Sequence, residues 1–120
     1  MKCIGPTFSA EDLAALREDY AFAPAVDELA AALALFSHPT RVKIFALLDQ
    51  TEQMCVCDLA AVLDVTVSAV SQNLAKLRAQ RLVKYRREAQ TLYYRLTDHP
   101  INAVIRAALT GYRERLEDGE

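Results

Sequence analysis

A mainly α-helical fold carrying one β-hairpin is what this 120-residue sequence predicts, and three observations carry the expectation. Within residues 54–82, two apolar-periodic segments flank Asp64-Val65-Thr66-Val67-Ser68, whose β-branched residues disfavour helix and whose Thr and Ser can cap one. That pattern reads helix, turn, helix. Directly after it, residues 81–88 (RLVKYRRE) and 91–96 (TLYYRL) are β-prone runs split by the short polar break Ala89-Gln90, the pattern of a hairpin. A last segment, residues 101–116, repeats apolar residues at helical spacing and is too long a stripe for one small domain to cover. The three together describe a winged helix-turn-helix, homodimeric through its outer helices.

Taken in order, residues 1–8 hold Gly5 and Pro6, lack periodicity, and read as a flexible N-terminal arm carrying Cys3. Residues 9–120 are expected to form one folded domain for DNA binding and dimerisation. Ser9 before Glu11 and Asp12 is a helix start, with Leu13, Leu16 and Tyr20 as its stripe. Pro24 opens a second, alanine-rich helix through Val26, Leu29, Ala30, Leu33 and Phe36. Being apolar on several sides, it is expected to be central. Ser37-His38-Pro39-Thr40 breaks the chain, and Pro39 suits the first turn of a third helix bearing Val42, Ile44, Phe45, Leu47 and Leu48. His38 is read as a capping residue rather than a ligand. Residues 51–54 read as a polar loop.

In the helix after the turn, from Ser68 to Gln80, Val67, Val70, Leu74 and Leu77 share one face, which is expected to be buried. The opposite face carries Ser68, Gln72 and Lys76, with Ser71 on its flank and Asn73 nearer the buried side. Short polar side chains on such a face suit the base edges of a DNA major groove. Charge points the same way. Residues 66–95 hold seven basic side chains (Lys76, Arg78, Arg81, Lys84, Arg86, Arg87, Arg95) and one acid, Glu88, leaving seven basic and fifteen acidic residues elsewhere. A net charge of −2 therefore hides a cationic patch on an acidic body, the footprint of a phosphate-backbone binder. Arg86 and Arg87 of the hairpin are the expected backbone contacts.

After the hairpin, Thr97-Asp98-His99-Pro100 caps the last helix, whose stripe runs Ile101, Val104, Ile105, Ala108, Leu109, Tyr112 and Leu116. With Leu13 and Leu16 of the first helix, Ile105, Leu109 and Tyr112 are the expected homodimer interface, and a two-fold dimer matches a palindromic operator. No apolar run approaches the roughly 20 residues that span a bilayer, and the opening MKCIGPTFSAEDLA lacks the apolar core of a signal peptide. The expectation is a cytoplasmic protein with no membrane partner. No Ser/His/acid grouping or phosphate loop suggests an enzyme.

Three cysteines, an odd number without a secretion signal, argue for thiols that bind metal or react rather than for a disulfide framework. Positions i and i+2 of a helix point about 200° apart, so Cys55 and Cys57 can serve one ion only from a helix start. There, unpaired amides and the helix dipole favour an anionic sulfur. Two such sulfurs suit soft ions, Cd(II), Pb(II) or As(III), with Zn(II) and Hg(II) as further candidates. Asp58 either adds an oxygen or is simply a first-turn acid. A redox or persulfide switch would use the same cysteines.

The run CVCDLAAVLDVTVSAVSQNLAKLRAQRLVKYRREAQTLYYRL, preceded by FSHPTRVKIFALL, resembles the ArsR/SmtB family of winged-helix metal sensors over about residues 25–116. The resemblance implies a homodimeric repressor that leaves its operator when metal binds. In that family's arsenic sensors a third cysteine follows the second thiol by three residues, where this chain has Ala60. In its cadmium and lead sensors an N-terminal cysteine reaches the partner's Cys-Val-Cys, a role that Cys3 matches. Its zinc sensors use a second site on the last helix; Asp98 and His99 are present here, but Pro100 and Gly111 stand where histidines belong, so that site is read as lost. Ala89 replaces the usual glycine of the wing turn.

Overall fold

The computed structural model describes residues 4–19, 21 and 23–119, so Cys3 and Tyr20 lie outside the described residues. The elements run α1 (Ala10–Glu18), α2 (Pro24–Leu35), α3 (Pro39–Thr51), β1 (Met54–Cys55), α4 (Val56–Leu63), α5 (Val67–Ala79), β2 (Val83–Glu88), β3 (Thr91–Leu96) and α6 (Pro100–Asp118). They fall into two compact units, Met1–Leu33 and Ala34–Glu120.

In the first unit, Ser9 caps α1 by accepting a hydrogen bond from the Asp12 amide at 3.0 Å. No α1 residue is buried, and Leu13 and Leu16 are exposed. Within α2 only Ala32 is buried; Val26, Leu29 and Leu33 are exposed, where the sequence led us to expect a central helix.

The second unit holds a continuous core. Ile44, Phe45 and Leu48 of α3 meet Leu59 and Ala60 of α4, Val70, Leu74 and Leu77 of α5, Leu82, Val83 and Tyr94 around the hairpin, and Ile105 of α6. Phe36 closes edge-on against Phe45, with ring centres 5.8 Å apart. Each fully buried aliphatic or aromatic side chain contributes roughly 1.5 to 3 kcal/mol of transfer free energy. Pro39 and Pro100 occupy first-turn positions of α3 and α6. His38 stands at the N-cap of α3 without a side-chain capping bond, whereas His99 caps α6 by accepting from the Ile101 amide through Nδ1 at 3.1 Å.

Two expectations change here. Val67 was read as buried by its phase, yet it is 48% exposed, because as the first residue of α5 it precedes the point where the helix meets the core. Ile105 was read as an interface residue, yet it is only 7% exposed and belongs to the core of its own chain. Val104, Tyr112 and Leu116 carry the exposed apolar face of α6 instead, with Leu109 half-buried.

The expected loop before the cysteines contains a strand. Glu52 reverses the chain at φ 75°, and β1 pairs antiparallel with β3, giving the sheet order β1-β3-β2. Residues directly opposite on antiparallel strands share a face. One face therefore carries Met54, Tyr94 and Tyr85 in a row, and the other carries Cys55, Tyr93 and Arg86. Arg87 lies on the core-side face beyond the buried residues. On the outer face, Lys84 stands opposite Arg95, two like charges side by side. The turn between β2 and β3 places Ala89 at φ 56°, a left-handed conformation for which glycine is the usual residue.

Candidate functional site

The turn between α4 and α5 is built by local chemistry. Asp64 ends α4 in the left-handed region, the Val65 amide bonds back to Ala60 carbonyl at 3.2 Å, and Thr66 caps α5 by accepting from the Ala69 amide at 3.0 Å. With Val70, Leu74 and Leu77 pinned in the core, the opposite side of α5 is left to solvent. Ser68, Ser71, Gln72 and Lys76 are all exposed there, and Gln72 Nε2 lies 3.5 Å from Ser68 Oγ. No acid occupies the first turn of α5, and Lys76 and Arg78 are in its last. The four α5 residues singled out in the sequence thus stand together on one open surface.

Two residues that sequence reasoning passed over hold this helix in place. Arg41 of α3 is 6% exposed; its Nε donates to Asn73 Oδ1 at 2.9 Å and its Nη1 to the Leu35 carbonyl at 3.0 Å. Asn73 in turn donates to the Ala69 carbonyl at 2.9 Å. No carboxylate accompanies this buried cation among those bonds; carbonyl and amide dipoles receive it. The only available signal was Asn73's place toward the buried side of α5.

The hairpin is braced against α5 from its core side. The Arg78 guanidinium sits 4.4 Å from the centre of the Tyr85 ring, and Tyr85 lies 5.4 Å from Tyr94. Burial pushes the Tyr94 phenol above its ordinary value, with Arg78 opposing and Tyr85 adding to the shift, so this row keeps an uncharged hydroxyl. At the root of the hairpin, buried Asn102 of α6 donates to the carbonyls of Leu82 at 2.8 Å and Thr97 at 3.0 Å. The two arginines expected at the phosphate backbone are not alike. Arg86 is engaged within the sheet, by Glu88 at 2.8 Å, by Gln53 at 3.4 Å and by the Tyr93 ring at 4.7 Å. Arg87 is exposed on the other face of β2.

Cys55 is the N-cap of α4 and Cys57 lies one residue into the helix beyond Val56, so both sulfurs belong to the helix start. Both are free thiols, Cys55 half-buried and Cys57 exposed. Soft sulfur donors in that position fit a thiophilic ion. Among the described residues no third Cys, His, Asp or Glu completes a cluster with them. Cys3 lies outside the described residues.

An exposed polar helix face, a braced basic hairpin beside it and a helix-turn-helix that links them define a winged-helix DNA-binding regulator. Residues 38–85 match the bacterial regulatory protein, arsR family. The chain is 35% identical to a transcriptional repressor SmtB homologue of Synechocystis sp., across 82% of this chain and 74% of that protein. It is 33% identical to a cadmium resistance transcriptional regulatory protein, a CadC homologue of Staphylococcus aureus, across 65% of this chain and 64% of that one. Its fold is similar to the crystal structure of NolR from Sinorhizobium fredii, with TM-score 0.63 and 33% identity over 90% of this chain and 96% of that one. The chain belongs to the arsR family: it is a transcriptional regulator and not an enzyme. No single helix among the described residues is long and apolar enough to cross a membrane.

Proposed function

We propose that this chain is a cytoplasmic repressor that binds operator DNA as a homodimer and leaves it when a thiophilic ion is taken up by cysteine. The ion class is Cd(II), Pb(II) or As(III), held by Cys55 and Cys57 of one protomer and Cys3 of the other. The observation that carries the reading is the placement of two free thiols at the start of α4, the helix that leads directly into the turn before α5. The exposed apolar residues Leu13 and Leu16 of α1 and Val104, Tyr112 and Leu116 of α6 support a homodimer. The ion, when bound, supplies soft Lewis acidity that draws the sulfurs together. Cys55 and Cys57 bind it, and α4 carries the constraint toward α5. Such an effector shifts DNA affinity only by as much as it binds the free form more tightly.

Titrating the reduced protein with each ion, while following ultraviolet sulfur-to-metal charge transfer and DNA affinity together, tests this. A coupling of about 1 to 3 kcal/mol, or roughly 5 to 150-fold in affinity, is expected. Cys3→Ser should weaken the charge-transfer band and the coupling while leaving metal-free DNA binding intact. Normal release by every thiophilic ion in Cys3→Ser, together with an oxidant response abolished by Cys55→Ser, would instead establish the redox switch.

DNA contact divides between α5 and the wing. Gln72 has the groups to pair with an adenine edge, so Gln72→Ala should cost about 1 to 3 kcal/mol at one base position and little at others. Arg87→Ala should weaken all sequences alike and flatten the salt dependence, since it neutralises a phosphate. Binding measured on a panel of single-base variants at several salt concentrations separates the two. A Gln72→Ala loss that is uniform across bases would remove Gln72 from base reading.

A further inference from the structure

The thiol site and the wing share a sheet. Cys55 is at once the last residue of β1 and the N-cap of α4, and across the sheet it stands opposite Tyr93, which stands opposite Arg86. These three side chains lie in a row on one face. The Arg86 guanidinium covers the Tyr93 ring at 4.7 Å, and its Nε reaches back to Gln53 Oε1, two residues before Cys55, at 3.4 Å. The outer face of the wing is therefore fastened to the strand that bears the first thiol. That strand has only two residues, and so short a pairing is marginal alone and easily displaced.

Resting on the cysteine-effector reading above, we infer that Tyr93 and Arg86 are positioning residues that couple the thiol site to the wing. In the metal-free protein the Arg86 guanidinium, held by Tyr93, Gln53 and Glu88, ties the outer face of the wing to β1 without itself meeting the DNA. With Cys55 and Cys57 holding an ion, the junction between β1 and α4 would shift, and the pairing of Cys55 with Tyr93 would pass that change to Arg86. Arg86 thus acts through the sheet, and Arg87, on the opposite face, meets the phosphate.

The test uses the full chain, cadmium ion alone as the probe, and a fluorescent duplex selected by the wild-type protein from a random pool. Tyr93→Leu should keep the cadmium charge-transfer band and metal-free DNA affinity within about twofold of wild type. Its cadmium-driven release should fall from the roughly 5 to 150-fold expected of such coupling to near unity. Tyr93→Phe, which keeps the ring under Arg86, should restore it. Should Tyr93→Leu fail to fold, Gln53→Ala at an exposed position decides, with release reduced at least about twofold. A normal band with wild-type release in the folded Tyr93→Leu, or in Gln53→Ala where Tyr93→Leu does not fold, overturns this proposal alone. Absence of the band from the wild-type protein overturns the effector reading and this proposal with it.

Discussion

Replacing Arg41 with Met is expected to lower stability by at least about 3 kcal/mol, because hydrogen bonds from a charged donor are worth about 1.5 to 3 kcal/mol each and two are lost. Methionine fills the space of the aliphatic stem, so the loss isolates the guanidinium from the packing. What remains is two acceptors, Asn73 Oδ1 and the Leu35 carbonyl, without their donor. Urea unfolding should show the change as a lower midpoint at constant slope, and thermal unfolding as a drop of roughly 10 °C for a domain of this size. DNA affinity should fall as well. Asn73 sits one residue after Gln72 on α5, so its anchor fixes the rotation of the face that meets the groove. An Arg41→Met protein with unchanged midpoint and DNA affinity would show that core packing alone positions α5.

A charge placed at Ile105 and one placed at Tyr112 should fail in different ways. Ile105 is 7% exposed in the core of its own chain, so Ile105→Asp buries an unpaired carboxylate there and should cost more than about 4 kcal/mol, enough to unfold much of the population. Tyr112 is 66% exposed, so Tyr112→Asp should leave the protomer folded and raise the dissociation constant of the proposed homodimer. Circular dichroism with sedimentation at micromolar concentration separates the outcomes. A Tyr112→Asp protein that sediments as a dimer like wild type would remove this face of α6 from the interface.

These variants also mark how far the sequence could be read. Local signals were legible: Ser9 and Thr66 cap the helices they precede, Pro39 and Pro100 begin theirs, and the two β-prone runs are split at Ala89-Gln90. The α5 surface followed from a 3.6-residue period because Val70, Leu74 and Leu77 are all core residues. What was not legible depends on distant partners. A two-residue strand has no periodicity of its own; β1 exists because Tyr93 and Tyr94 lie alongside it. The stripe of α6 gives a phase but not an occupant, so Ile105 and Tyr112 looked equivalent although one faces the chain's own core. Read locally, Arg86 looks equivalent to Arg87 as a backbone contact, because its ring partner lies on the neighbouring strand and Gln53 lies 33 residues away. Arg41 and Asn73, 32 residues apart, looked like ordinary polar helix positions for the same reason.

Lys84 opposite Arg95 on the outer face of the wing has a consequence for how this regulator meets changing salt. Two cations on paired strands repel, and that repulsion weakens as mobile ions screen it. Salt therefore tightens the hairpin, while the same salt loosens its hold on a polyanion by reducing the gain from counterion release. At low ionic strength the pair repels most strongly, and a phosphate brought to this face would supply the missing counter-charge.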